Sequence, residues 1–364
     1  MTDRKCHSLG QVVEQLQAEG HVPDPLPLHS QLRLQSLDAH TPWYVRAMVG
    51  LGGWVASLMV IVFLAGLSIG TDGAVLAVGA VLLIAAMGLR LFSGHDFVVQ
   101  ATLAAGLAGQ AMLLIYLTAD SHGDWLSHFC LAVIGLNAFL FLLFPDRLYR
   151  LLCLLFCFAA LVVWLYAQSL QAWVVLVSPL AAALWLLLMA YRQQCYARGL
   201  GRYVWPAENG LLLSALAVMM LSTVYLLPDV DRTTLYPRPW ISSVLLGCLL
   251  LSLLWRHGQA LLSAAEPTAR WGLIAGAAAL VAASWAAPGV LLALCVLLLG
   301  WLQARPAVTG TAVAFLVVFL IAWFYGLQVS MAVKALCLLA SGALLLGLRP
   351  VLARLMARKQ EAGA

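Results

Sequence analysis

Charge is what this chain has least of. Only 10% of its 364 residues are Asp, Glu, Lys or Arg, against 63% hydrophobic, whereas a soluble surface needs roughly 25–35% charged side chains. A water-soluble globular protein is therefore excluded. Carboxylates are missing where ion coupling would need them. None of the fifteen Asp and Glu residues falls at the centre of an apolar run, and proton- or sodium-coupled transporters retain costly ionisable groups near mid-membrane for that work. No nucleophile–base pair and no metal-ligand set occurs at membrane depth, so the sequence predicts no intramembrane enzyme and no cofactor. The eight cysteines lie mostly inside apolar runs, where they act as small hydrophobes and supply no disulfide framework. Cys153 and Cys157, at i and i+4, read as packing residues for the same reason. The first thirty residues lack an apolar core followed by a small-residue cleavage site, so a removable leader is not expected.

What the chain has in abundance is apolar runs long enough to cross lipid. About 20 helical residues span a hydrocarbon core near 30 Å, and twelve spans are counted, at 47–69, 74–92, 98–118, 125–144, 149–167, 172–191, 210–227, 241–256, 269–287, 289–303, 308–326 and 330–348. Pro288-Gly289 is the sole break between the ninth and tenth, which leaves open a re-entrant or kinked hairpin over 269–303. The predicted fold is all-α, a polytopic bundle of about twelve spans joined as antiparallel hairpins. It is preceded by a polar N-terminal helix and Pro-rich tether over 1–46, occupies 47–348, and ends in a basic tail over 349–364. In that tail, Val351, Leu352, Leu355 and Met356 oppose Arg354, Arg358 and Lys359, the pattern of a helix lying on anionic lipid.

Cytoplasmic loops keep an excess of Lys and Arg. Sorted among alternate loops, 17 of the 20 cations fall on the side of the N-terminus, and only Arg232 and Arg238 fall in loops on the other side. This predicts both termini in the cytoplasm. The net charge of +5 thus reflects arginines beside span ends, and no nucleic-acid partner follows from it.

Few polar residues remain as candidate sites. Gln110 in the third span and Asn137 in the fourth are amides at depth, which either bridge helices or bind a substrate. Asp120, His122, Asp124 and His128 cluster in the outer stretch DSHGDWLSH; such residues hold divalent metal or titrate as a pH sensor, though the spacing matches no closed structural site and a solvated turn is the plainer reading. Glu208 and Asn209, with Arg198 and Arg202, lie in the predicted cytoplasmic loop 192–209 and read as a mixed-charge surface, able to bind a partner protein or lipid headgroup, with a solvated loop the plainer reading. Gly66 with Gly70, and Gly272 with Gly276, have the spacing that lets helices approach closely. Trp125, Trp173, Tyr191, Trp240, Trp255 and Trp301 sit near span ends as an interfacial belt.

The segment PWYVRAMVGLGGWVASLMVIVFLAG, Pro42 to Gly66, is preceded by LGQVVEQLQAEGHV. Together they resemble the opening of a bacterial membrane family designated domain of unknown function 4401 (DUF4401). The resemblance implies a bacterial inner-membrane location and, as a companion, a membrane-anchored protein of the GDYXXLXY family; it supplies no catalytic residues. The leading expectation is a non-enzymatic component that partners or scaffolds another envelope protein. The alternative is a transporter or lipid flippase with a largely apolar pathway. An internal cavity reaching Gln110 or Asn137 would favour transport, and a filled core would favour the partner.

Overall fold

The computed structural model describes residues 72–92, 96–119, 124–226, 236, 238–261 and 287–326, with isolated positions between 48 and 66, between 276 and 284, and at 332. Every regular element among these residues is helical. In hydrocarbon a spanning segment must satisfy its own backbone, which a helix does and an open strand does not.

Among the described residues nine α-helices follow in order: α1 Asp72–Phe92, α2 Asp96–Thr118, α3 Trp125–Leu143, α4 Arg147–Ala167, α5 Val174–Ala197, α6 Gly201–Met220, α7 Pro239–Leu261, α8 Pro288–Leu302 and α9 Pro306–Gly326. Short 3-10 turns at Gln171–Trp173 and Leu221–Leu226 extend α5 and α6. Eight of these stretches are long and apolar enough to cross a membrane, and α8, with 15 residues, is a shorter apolar helix. The chain is an integral membrane protein of many helices. The expected spans 47–69, 269–287 and 330–348 fall largely outside the described residues, as do the segments 1–46 and 349–364.

Two compact units divide the chain at Tyr116. Within the first, α1 and α2 meet at glycines: a Cβ on Gly109 would sit 2.7 Å from the Gly79 carbonyl oxygen, and one on Gly79 would sit 3.1 Å from that of Gly109. The expected close approaches at Gly66 with Gly70 and at Gly272 with Gly276 lie in stretches largely outside the described residues. Backbone contact depends on which helix faces turn inward, and the four-residue spacing alone does not decide that.

In the second unit, α3 packs on α4, α4 on α6, α5 on α6 and α7, and α7 and α9 on α8. The core is filled by Trp185, Leu212, Met219, Leu246, Leu291 and Phe319. Large apolar side chains such as Phe139, Leu180, Leu187, Val244 and Val317 stay exposed, as a lipid-facing surface requires. Trp125, Trp173, Trp240 and Trp301 are exposed near helix ends, as a belt requires, whereas Tyr191 and Trp255, also exposed, stand six residues inside the ends of α5 and α7.

Two helix boundaries depart from expectation. The segment 192–209 is mostly helix, not a loop: α5 runs on to Ala197, and α6 already begins at Gly201. The real turn is Gly199, at φ +75°, where Leu200 N–H donates to Cys195 O and Gly199 N–H to Tyr196 O. A left-handed residue closes a helix in this way, and glycine takes that backbone without a Cβ penalty. Counting 20 residues per span truncated both helices, because a span need not stop where the hydrocarbon does.

Both helices also contain a proline, Pro179 in α5 and Pro206 in α6. Proline has no N–H, so the carbonyl four residues earlier loses its helical partner. Each freed carbonyl is taken up by another helix. Ser242 Oγ on α7 donates to Val175 O at 2.6 Å, and Arg150 Nη1 on α4 donates to Arg202 O at 3.1 Å. Tyr236 stands behind the first of these, 2.7 Å from Ser242 Oγ and 3.5 Å from Val175 O. Burial pushes its phenol up to about 12, outweighing the Ser242 hydrogen bond, so it remains protonated at neutral pH. Replacing Ser242→Ala leaves Val175 O with only the long tyrosine contact. The expected cost is about 1–3 kcal/mol, read as a lowered melting temperature of the purified protein in mild detergent; an unchanged melt would mean that Tyr236 alone satisfies the carbonyl.

Candidate functional site

The amides singled out in the sequence are packed, not displayed. Asn137 on α3 is 0% exposed, and its Nδ2 donates to Val133 O of its own helix at 2.8 Å. Gln110 on α2 is buried as well, in the first unit. Of the outer cluster, Asp120 and His122 lie outside the described residues. Asp124 is the N-cap position of α3 without a side-chain capping bond, and its carbonyl oxygen accepts from His128 N–H at 3.2 Å and lies 3.0 Å from His128 Nδ1. These two residues close the first turn of a helix. No group of three or more His, Cys, Asp or Glu able to hold a metal occurs among the described residues.

Three charged side chains are buried among the described residues, Asp146, Arg150 and Glu208, and Glu208 is the one held between two arginines. Its sequence setting suggested a solvated loop, yet it sits in the second turn of α6 at 3% exposure. Arg305 Nη1 donates to its Oε2 at 3.0 Å, and Arg192 Nε lies 3.1 Å from its Oε1. The Arg192 N–H is not aimed at that oxygen, so this second contact is ionic without being a directed hydrogen bond. Arg305 also reaches Met189 Sδ at 3.8 Å. One carboxylate thereby ties α5, α6 and the turn between α8 and α9.

That turn has its own cost. Ala304 stands at φ +52°, with Ala304 N–H donating to Trp301 O and Arg305 N–H to Gly300 O. This is the bonding pattern of a left-handed helix C-terminus, built on a residue with a Cβ, which disfavours that conformation by roughly 1–2 kcal/mol. The turn places Arg305 at the junction of α8 and α9, within reach of Glu208. Ala304→Gly is expected to raise stability by about 1 kcal/mol, measured as a higher melting temperature; a decrease would show that the alanine methyl contributes packing that outweighs its strain.

Arg192 and Arg305 also line a cavity of about 990 Å³, with Arg256 on α7 as the third cation. Its walls are mixed: Leu186, Leu187, Leu249, Leu253 and Leu299 supply the apolar part, and Gln193, Ser252 and Gln303, with Tyr191 and Tyr196, the polar part. The Arg192 guanidinium lies over the Tyr196 ring, 5.5 Å from its centroid, a contact that leaves its N–H edges available. The cavity lies toward the C-terminal ends of α5, α7 and α8, which puts these three arginines on one side of the bundle. A second basic cluster is structural: Arg150, bound to the freed Arg202 carbonyl, and Arg202 both lie over the Tyr203 ring, 4.4 and 4.7 Å from its centroid.

Beyond the geometry, kinship can be stated. The DUF4401 family model matches residues 42–355. The chain belongs to that family. The match begins at Pro42, where the aromatic, glycine-rich entry segment begins. It takes in Glu208 and all three cavity arginines. Comparison with curated proteins and with solved structures gives no match.

No single-residue motif announced this site. Arg192, Glu208, Arg256 and Arg305 are far apart in sequence, and each alone looks like an ordinary span-end charge. Glu208→Gln keeps the shape of the side chain and removes its charge, leaving two guanidiniums facing a weaker acceptor. The expected loss is about 1–3 kcal/mol, observed as a lower melting temperature. A variant as stable as the parent would show the carboxylate to be dispensable to the fold.

Proposed function

We propose that this chain is a non-enzymatic, lipid-handling membrane protein that binds an amphiphile with an anionic head. The observation that carries this reading is the 990 Å³ cavity, in which three arginines meet a wall that is in part leucine. Ligand cavities of about 300–1,000 Å³ are mostly apolar with a few placed polar groups. Basic pockets between membrane helices on the cytoplasmic side take phospholipid heads. Arginine is suited to phosphate, because its planar fork donates two parallel hydrogen bonds. The arginine bias of the loops supports a cytoplasmic position for the cavity's end of the bundle, and the family resemblance suggests a bacterial inner membrane.

The test is thermal melting of delipidated protein in neutral detergent, since a ligand bound only by the native state raises its stability. Phosphatidylglycerol or phosphatidic acid should raise the melting temperature, phosphatidylcholine with the same chains should not, and Arg192→Gln together with Arg256→Gln should abolish the gain. An equal rise with all three lipids would refute anionic selectivity.

A second reading, a scaffold for a membrane-anchored companion of the GDYXXLXY family, is favoured by the burial of Asn137 and Gln110, whose amides lie within packed helices. It predicts a stoichiometric anchored protein on affinity purification from native membranes in mild detergent. Recovery of the chain with lipid alone would count against it.

A further inference from the structure

On the reading that the cavity takes an anionic head, its charge count narrows which head. Among the described residues three guanidiniums line it, and one carboxylate, Glu208, contacts two of them. Three positive charges less one negative leave an excess of two. Glu208 does not consume the donors it faces. It meets Arg192 along the Nε edge and Arg305 through Nη1, which leaves the terminal nitrogens of Arg192, the remaining nitrogens of Arg305 and the whole Arg256 guanidinium without a hydrogen-bond or ion-pair partner among the described residues. The carboxylate instead holds two forks in place beside the cavity.

Carbonyls at the helix ends do not cancel this excess. α5 continues from Arg192 to Ala197 and α7 from Arg256 to Leu261, and a helix dipole acts within its last turn; α8 does end at the cavity, but its carbonyls at Leu299, Gly300 and Trp301 accept the N–H groups of Gln303, Arg305 and Ala304. At Arg305 the opposite end is presented: its carbonyl accepts the Thr309 N–H in the opening turn of α9, so the positive end of that helix starts there.

We infer that the ligand's head is a phosphate monoester. Such a group carries a charge of about −1.5 to −2 at neutral pH and three acceptor oxygens, matching an excess of two positive charges and more than one donor fork. A phosphodiester head such as that of phosphatidylglycerol offers one charge and two free oxygens.

Full-length protein in mild detergent, titrated with phosphatidic acid, phosphatidylglycerol and phosphatidylcholine of identical dioleoyl chains, tests this with native mass spectrometry as the readout. Phosphatidic acid should be held about tenfold more tightly than phosphatidylglycerol, the size of one additional charged hydrogen bond. Arg256→Gln changes an exposed side chain outside the Glu208 contact, lowers the excess to one and should bring the two anionic lipids close to equal affinity.

Equal retention of the two anionic lipids by the parent overturns the monoester inference and leaves the anionic-amphiphile reading standing. Equal retention of phosphatidylcholine as well overturns both. Full preference retained in Arg256→Gln refutes the charge count. Glycerol 3-phosphate displacing the bound lipid as effectively as phosphatidic acid does would uphold the monoester head and refute the need for acyl chains.

Discussion

Everything in this structure depends on the rule that a peptide group cannot be left unpaired in hydrocarbon. It explains why the described elements are helices, and it explains the choice of residues between them. Pro179 and Pro206 each open a gap in a helical ladder, and the gaps are closed by Ser242 and Arg150 from neighbouring helices. The two prolines therefore determine tertiary contacts as much as local backbone. A carbonyl that a soluble protein would leave to water becomes here a binding point for a particular side chain on another helix.

The same economy governs charge. Glu208 is buried because Arg192 and Arg305 are brought to it from α5 and from the α8–α9 turn; removing one member of such a set leaves an uncompensated ion, which is far more costly than never having buried it. Its position near one end of α6, away from the bundle's middle, keeps the two guanidiniums partly hydrated, at 37% and 25% exposure. That partial exposure allows one cluster to hold the helices together and still present donors to the cavity. The strained Ala304 turn belongs to the same arrangement, since it sets where Arg305 emerges.

The aromatic and apolar surfaces complete the division of labour. Large apolar side chains face outward as well as filling the core, and glycines mark the tightest backbone approach of α1 and α2, unlike the soluble pattern in which polar residues cover the outside. With lipid as solvent, outward leucine costs nothing, and close packing is what distinguishes the interior.

The sequence by itself determined the membrane class, the helical architecture, the positions of most described spans and the family, because a long uncharged run has few physical options in water. It also singled out Asn137 and Gln110 as amides at membrane depth in need of a partner. It did not reveal that Glu208 lies inside a helix, since the 20-residue rule measures lipid thickness and is silent on how far a helix continues past it. Only the tertiary structure decided which arginines share a cavity, which carboxylate holds two of them and which donor answers each proline. These depend on how helices distant in sequence face one another, and hydrophobicity along a single helix carries no record of that.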